Sequence, residues 1–177
     1  MKKLKILSLA LALLTFVATV TGCTFVQAQK MKNVKGTYLL TTRTNTHAVT
    51  GAVTDYVNDK GWQVYLVVTG TGTGYYVFKD NQTEQPWYKE VTLSYEYDED
   101  NSSLVRQVHY KFLNDNNDYH FGVTKDALNY SKPPVKITDK WHTPGESWTW
   151  KKESDAIDLS YAREKLGEIV PYQTNEE

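Results

Sequence analysis

The stretch YKEVTLSYEY, residues 88–97, carries the pattern that decides the fold. Val91, Leu93, Tyr95 and Tyr97 fall on one face of an extended chain, and polar side chains alternate with them on the other face. Successive side chains of a β-strand point to opposite faces, so this period of two predicts a strand with one buried face. Tyr95 lies on that buried face and is therefore a candidate to contact a ligand inside the sheet.

Strand-like segments continue on both sides of this stretch. Runs rich in Val, Thr, Tyr and Leu, bounded by turn-forming residues, predict strands at 36–44, 52–57, 62–68, 73–79 and 104–113. Two hairpins are predicted after them, at 118–131 with a turn near Lys125-Asp126 and at 135–151 with a turn at Pro144-Gly145. The period changes only at 154–167, which predicts a helix with Ser154 or Asp158 as N-cap and Gly167 as its stop.

This order of elements predicts an all-β fold. Strands do not alternate with helices, which disfavours a parallel sheet. About nine or ten short strands joined by short turns are typical of an antiparallel up-and-down meander. A sheet of that length tends to close, because closure pairs its edge strands. We therefore expect a barrel with one C-terminal helix, and a β-sandwich is the alternative.

The first strand and the last helix resemble those of the lipocalins and their bacterial lipocalin-like relatives. The matching residues are Gly36-Thr37-Tyr38, in which Tyr38 stands where the family has Trp, and the helix at 154–166. The resemblance implies a barrel whose interior takes a small apolar or amphipathic ligand. An interior filled by side chains would contradict that implication.

The N-terminus resembles the leader of bacterial lipoproteins. Lys2, Lys3 and Lys5 precede an apolar run that is too short to span a membrane and ends at Val20-Thr21-Gly22-Cys23, a match to the lipobox. The resemblance implies cleavage before Cys23 and a diacylglycerol on its sulfur, whose two acyl chains, palmitate among them, suffice for a stable anchor. The chain would then be anchored outside the cytoplasm, in the cell membrane or the outer membrane.

These signals divide the chain into four segments. They are a signal peptide at 1–22, a lipid-anchored tether at 23–34, an antiparallel β domain with its helix at 35–167 and a loose polar tail at 168–177. The chain of 177 residues has a formal net charge of −1, and loss of the leader lysines makes it more acidic. An acidic domain lacks the basic footprint of a nucleic-acid-binding protein.

The sequence does not predict a catalytic centre, a metal site or a cofactor. TGTGTG at 69–74 leads into a strand, whereas a phosphate-binding loop leads into a helix. The four histidines do not have the spacing of a metal motif, although His109 and His120 can meet across neighbouring strands. Cys23 is the single cysteine, which excludes an intrachain disulfide.

Arg106 is the most specific candidate contact for a ligand. It shares the parity of Val108 and Tyr110, so a regular strand turns all three toward the interior. A buried arginine needs a partner. That partner is either a ligand carboxylate or a neighbouring acidic side chain, unless Arg106 extends to solvent.

A tryptophan cluster supplies further candidates. A four-residue turn at 143–146 places Trp141 opposite Trp148, with Trp150 on the same face as Trp148. If that face is internal, the three rings form core against the C-terminal helix, and if it is external they form a stacking platform. The candidate ligand-binding residues are therefore Arg106, Tyr110, Tyr95, Trp141 and Trp148.

Two functions fit these features. The first is a lipid-anchored binding module for a small apolar or amphipathic ligand. The second is an envelope surface module that binds a glycan or a protein partner without a cavity. Burial of the Trp and Tyr side chains distinguishes them, because the second function needs these side chains exposed.

Overall fold

A computed structural model describes residues 33–83, 85–100, 104–112, 118–136 and 142–173. The described residues form short and long strands and two helices. The strands are β1 (Gly36–Thr46), β2 (Val53–Asp55), β3 (Gln63–Val68), β4 (Thr73–Lys79), β5 (Trp87–Tyr97), β6 (Val105–Phe112), β7 (Tyr119–Val123), β8 (Ala127–Lys132), β9 (Val135–Lys136), β10 (His142–Thr143), β11 (Gly145–Ser154) and β12 (Val170–Pro171), and the helices are α1 (Tyr56–Lys60) and α2 (Ser160–Leu166).

Eight strands close into an antiparallel barrel, which confirms the predicted fold class. Their order is β1-β3-β4-β5-β6-β7-β8-β11, and β11 pairs back onto β1 from Thr37–Ser154 to Thr46–Gly145. Each of the eight strands therefore has a hydrogen-bonded neighbour on both sides. This closure decides between the two predicted architectures in favour of the barrel.

The alternating stretch that predicted the fold is β5. Val91 and Leu93 are buried, whereas Thr92 and Ser94 between them are exposed. The Lys125-Asp126 turn is also confirmed, since it joins β7 to β8. A pattern of period two identifies these strands because one of their faces lies in the core and the other in water.

The barrel has two different ends. At one of them, called the Val34 end, β1 begins and Val34 is fully buried, with its carbonyl accepting a hydrogen bond of 3.0 Å from the Tyr38 hydroxyl. At the other, called the Arg43 end, β1 finishes and β3, β5, β7 and β11 begin. The chain segment that enters the barrel thus packs into the Val34 end.

The middle of the barrel is filled by side chains. Tyr76 of β4 lies 6.3 Å from Trp150 of β11 between ring centroids, and Trp150 lies 6.2 Å from Phe121 of β7. These contacts join strands that are not neighbours, so the rings meet across the interior. The largest fully buried side chains of this core are Trp150, Tyr38, Tyr110, Phe121, Leu40, Leu66 and Leu128.

A second apolar cluster lies outside the barrel, beneath α2. Ala162 and Leu159 pack against Tyr65, Val67 and Val77 on the outer faces of β3 and β4. The predicted helix is confirmed in position and ends at Gly167 as predicted, but it is shorter than 154–167. The helix begins later than predicted because the residues up to Ser154 belong to β11, which pairs with β1. Its N-cap is Leu159, and not Ser154 or Asp158.

Residues 168–173, which the sequence analysis assigned to a loose tail, are packed against the barrel. Ile169 is buried, and Val170–Pro171 pair in parallel with Trp87 and Tyr88 of β5. The N–H groups of Val170 and Tyr172 donate to the carbonyls of Pro86 and Tyr88. Apolar burial of Ile169 and backbone pairing with β5 hold this short segment against the barrel.

Two other local predictions are wrong. The segment 52–57 forms β2 and then α1, because the Asp55 carboxylate accepts hydrogen bonds from the backbone N–H groups of Val57 and Asn58 and so caps a helix.

Gly145 begins β11 instead of completing a turn with Pro144, and a Cβ there would lie 2.6 Å from Cδ of Pro134. Glycine is needed at this position for close approach of two chain segments.

Neither α1 nor α2 has the length and apolar character required to cross a membrane, and the same holds for every helix within the described ranges.

Candidate ligand site at the Arg43 end of the barrel

An arginine side chain points into the barrel, and it is Arg43 rather than Arg106. The pairing of β1 with β11 shifts between Leu40 and Thr42, so that Leu40 faces Trp150 and Thr42 faces Thr149. One extra residue in β1 reverses the alternation beyond it. Arg43 therefore pairs with Trp148, whose side chain is in the core, and only 22% of the Arg43 side chain is exposed.

Aromatic rings surround the Arg43 guanidinium. Its central carbon lies 4.0 Å from the ring centroid of Trp148, 4.9 Å from that of Trp62 and 5.3 Å from that of Tyr56. Trp62 comes from the start of β3 and Tyr56 from α1, so α1 contributes one wall of the site. Each cation–π contact contributes about 0.5–2 kcal/mol, more where the cation is desolvated.

The guanidinium keeps unused donor capacity. Its ion pair within the described part of the chain, from Nη2 to Oε1 of Glu146, measures 3.4 Å, which is long for a charge-assisted hydrogen bond. Among the described residues, Nε of Arg43 and the indole Nε1 atoms of Trp148 and Trp150 are buried with no hydrogen-bond partner. Leaving such a donor unsatisfied costs about 1–3 kcal/mol. Two of these donors, Nε of Arg43 and Nε1 of Trp148, lie together at the Arg43 end, and this departure from ordinary packing calls for an explanation.

Buried phenols lie beside the same cation. The ring centroid of Tyr110 is 6.3 Å from that of Tyr76 and 5.3 Å from that of Tyr119. Burial raises the pKa of Tyr76 and Tyr110, and the positive charge of Arg43 acts in the opposite direction on both pKa values. Both phenols are consequently neutral at physiological pH, and a neutral phenol can donate a hydrogen bond to an anion.

Arg106 does not point into the barrel, and the prediction that it does is wrong. Tyr97 pairs with Val105 and Glu96 pairs with Gln107, so Arg106 is the extra residue of a bulge in β6. Its guanidinium bonds to the Glu96 carboxylate on the outer surface, and 51% of its side chain is exposed. The bulge also explains why Val105 and Val108 are both buried although their positions differ in parity.

The other predicted ligand-binding residues do not lie in one site. Tyr110 and Trp148 lie together at the Arg43 end, with ring centroids 6.5 Å apart. Tyr95 lies toward the Val34 end, where its hydroxyl donates to the carbonyl of Thr71 at 3.2 Å. Trp141 and Cys23 lie outside the described residues.

Trp148 faces Tyr130 of β8 on one side and Arg43 of β1 on the other, and the position of Trp141, its predicted partner, lies outside the described residues. Trp148 and Trp150 do share a face and are buried, as expected of core. That face is turned to the barrel interior, however, and not to the C-terminal helix.

Comparison of the chain with known proteins does not extend these observations. No family model, curated protein or solved structure is significantly similar to it.

Proposed function

We propose that this protein is a lipid-anchored binding module of the lipocalin-like type that holds a small amphipathic molecule with an anionic group at the Arg43 end of the barrel. The observation that carries the proposal is the inward-facing Arg43. Its Nε has no partner among the described residues, and its guanidinium lies 4.0 Å from the ring centroid of Trp148, whose indole N–H also has none. A bound carboxylate accepts from several donors at once and would satisfy them.

The site proposed is shallow and differs in that respect from the deep cavity that the sequence analysis expected. Rings that meet across the interior, such as Tyr76 and Trp150, fill the space in which a long apolar tail would lie. The tail of the ligand would instead lie along the half-buried aromatic rim, to which Trp62 and Phe78 contribute. Apolar pockets with a few placed polar groups are typical of small-molecule sites.

The proposed location also follows from the N-terminus. With Cys23 carrying a diacylglycerol, the membrane anchor would precede the Val34 end by about ten residues, and the Arg43 end would face away from the membrane. Replacement of Cys23 by Ala should abolish labelling with radioactive palmitate and release the protein from membranes. A Cys23→Ala variant that still labels and still pellets would contradict the anchor.

A binding titration with a matched pair of arginine variants tests the ligand site. We expect 11-(dansylamino)undecanoic acid to bind the wild type, and Arg43→Met to weaken binding about 10- to 100-fold, because one charge-assisted hydrogen bond contributes about 1.5–3 kcal/mol. Arg106→Met removes the same charge from the outer surface and should bind like the wild type. The methyl ester of the probe, which lacks the anion, should bind the wild type and Arg43→Met equally.

Equal binding of the acid by Arg43→Met and wild type would refute the proposal. A loss of binding that Arg106→Met shares would refute it as well, because the effect would then come from net charge. Arg43→Lys serves as a control for misfolding, because it keeps a cation at this position and loses only the Nε donor. We expect its affinity for the acid to lie between those of the wild type and Arg43→Met.

A groove on the outside of the barrel favours a second candidate function, the binding of a glycan. The groove has a volume of about 380 Å³ and is lined by Gln85, Trp87, Val170, Pro171, Tyr172 and Gln173. Its Trp87 and Tyr172 rings lie 4.7 Å apart between centroids, and Tyr172 is 42% exposed. Aromatic faces flanked by amide side chains suit a sugar ring. Glycan-array binding that Trp87→Ala abolishes and Arg43→Met preserves would support this function over the first.

A further inference from the structure

We propose that His109, Asp118 and His120 form a binding site for a divalent transition-metal ion, with Zn²⁺ as the expected occupant, on the outer surface of the barrel. The Nε or Nδ atoms of the two imidazoles and a carboxylate oxygen of Asp118 all lie within 4.8 Å of one another. Two imidazoles and one carboxylate are a donor set that zinc accepts with a fourth position open.

The sheet itself brings the three side chains together. His109 of β6 is directly opposite His120 of β7, and their ring centroids are 3.9 Å apart. Asp118 precedes His120 by two residues and therefore projects from the same face of the chain. Neighbouring inward residues such as Tyr110 and Phe121 are buried in the core, which fixes the two strands and turns both histidines outward.

The polar atoms of the cluster are incompletely satisfied. Nε2 of His109 is buried and has no hydrogen-bond partner among the described residues. Its nearest acidic atom, Oε2 of Glu96, is 3.8 Å away, beyond hydrogen-bond distance. Oδ2 of Asp118 lies 3.3 Å from Nε2 of His120. A buried imidazole nitrogen with an unused lone pair, next to a second imidazole and a carboxylate, is suited to a metal ion.

The geometry requires a small adjustment to accept the ion. Bonds of about 2.0–2.2 Å in a tetrahedral arrangement place ligand atoms about 3.3 Å apart. The separations here exceed that value by at most about 1.5 Å. Asp118 and His120 are each 49% exposed, so their side chains can rotate toward His109 without disturbing the core.

The charges around the cluster favour a cation. Asp118 supplies one negative charge as a ligand, and the Glu96 carboxylate approaches from β5. Arg106 carries an opposing charge, which its bond to Glu96 neutralises in part, and Lys111 lies two residues beyond His109 in β6. Glu96 is therefore the side chain best placed to complete the coordination or to orient His109.

Isothermal titration of the metal-free full-length protein with Zn²⁺ tests this site. We expect one ion per chain, and a loss of affinity of more than about 10-fold in His120→Ala and in Asp118→Ala, since even an outer partner of a metal ligand changes affinity by that factor. Both residues are half exposed, so the variants should fold like the wild type, as checked by circular dichroism. Co²⁺ absorption in the visible range would report the tetrahedral geometry independently.

The chain contains a matched control pair. His47 and His142 also lie close together, with ring centroids 5.2 Å apart, but Nδ1 of His47 already accepts the backbone N–H groups of Val49 and Thr50. His142→Ala should therefore bind Zn²⁺ like the wild type. Absence of stoichiometric Zn²⁺ binding, equal affinity of His120→Ala and wild type, or a loss of affinity in His142→Ala would each overturn the proposal.

Discussion

Trp150→Ala is the substitution that tests whether the barrel interior is packed with side chains. Trp150 is 0% exposed and lies within 6.3 Å of the ring centroids of Tyr76, Phe121 and Trp148. Removal of a buried Trp side chain costs about 3–5 kcal/mol, which includes the cavity that it leaves. Its indole N–H has no partner, so its removal also relieves an unsatisfied donor that costs about 1–3 kcal/mol. These opposing effects place the expected destabilisation near the low end of the range, about 3 kcal/mol.

Urea unfolding followed by far-ultraviolet circular dichroism measures this difference without using tryptophan fluorescence. A loss of about 3 kcal/mol should lower the melting temperature by about 6–12 °C in a domain of this size. Trp150→Phe separates the two contributions, since it retains an aromatic ring and removes the N–H group, and we expect it to cost less than about 1.5 kcal/mol.

Val49→Ala, at an exposed position, should change stability by less than about 0.5 kcal/mol. A destabilisation below about 1 kcal/mol in Trp150→Ala would refute the packed interior, because it would mean that the ring borders open space.

Two further substitutions and one pH titration test other parts of the barrel. Arg106→Leu should change the free energy of unfolding by less than about 1 kcal/mol, because its ion pair with Glu96 is exposed, and a loss of several kcal/mol in a urea titration would show that it is buried. Gly36→Ala should destabilise the fold by several kcal/mol, since φ is 140° and a Cβ would lie 2.3 Å from the carbonyl oxygen of Ser154; an unchanged melting temperature would contradict this close approach. The raised pKa values of Tyr76 and Tyr110 mean that the folded protein retains protons that the unfolded chain releases above pH 10, so stability should be full below pH 10 and fall as pH rises further. Absorbance at 295 nm should show these tyrosines ionising only with unfolding, and their ionisation together with the exposed tyrosines would contradict their burial.

Periodicity was sufficient to predict the class of fold but not the orientation of every side chain. The stretch 88–97 alternates without interruption, and its buried and exposed faces follow the prediction. Arg106 did not follow it, because it is the extra residue of a bulge in β6, and a second bulge in β1 sets the orientation of Arg43. A bulge reverses parity for the rest of the strand, and its position depends on the partner strand. One bulge places Arg106 on the surface, and the other turns Arg43 into the barrel.

The sequence predicted contacts within the candidate sites only where the two residues lie on strands that follow each other in the chain and pair directly. The expectation that His109 and His120 meet across neighbouring strands is confirmed, since the two are opposite each other in β6 and β7. Arg43 and Trp148 come from β1 and β11, the two strands whose pairing closes the barrel, so their contact depends on that closure. The helix cap that forms α1 could have been found from Asp55, which is a strong N-cap residue before a stretch that reads as strand.

The indole N–H region of a ¹H–¹⁵N correlation spectrum tests the ligand site most directly. The chain contains five tryptophans, so the region holds one signal for each, and Trp148→Phe and Trp150→Phe assign the two that matter. We expect addition of decanoate to shift the Trp148 signal most, because that indole lies against Arg43 and its N–H has no partner among the described residues. The Trp150 ring, 6.1 Å from that of Trp148, should shift less, and the Trp87 signal should stay in place. A titration in which neither signal moves, or in which Trp87 alone responds, would contradict a binding site at the Arg43 end.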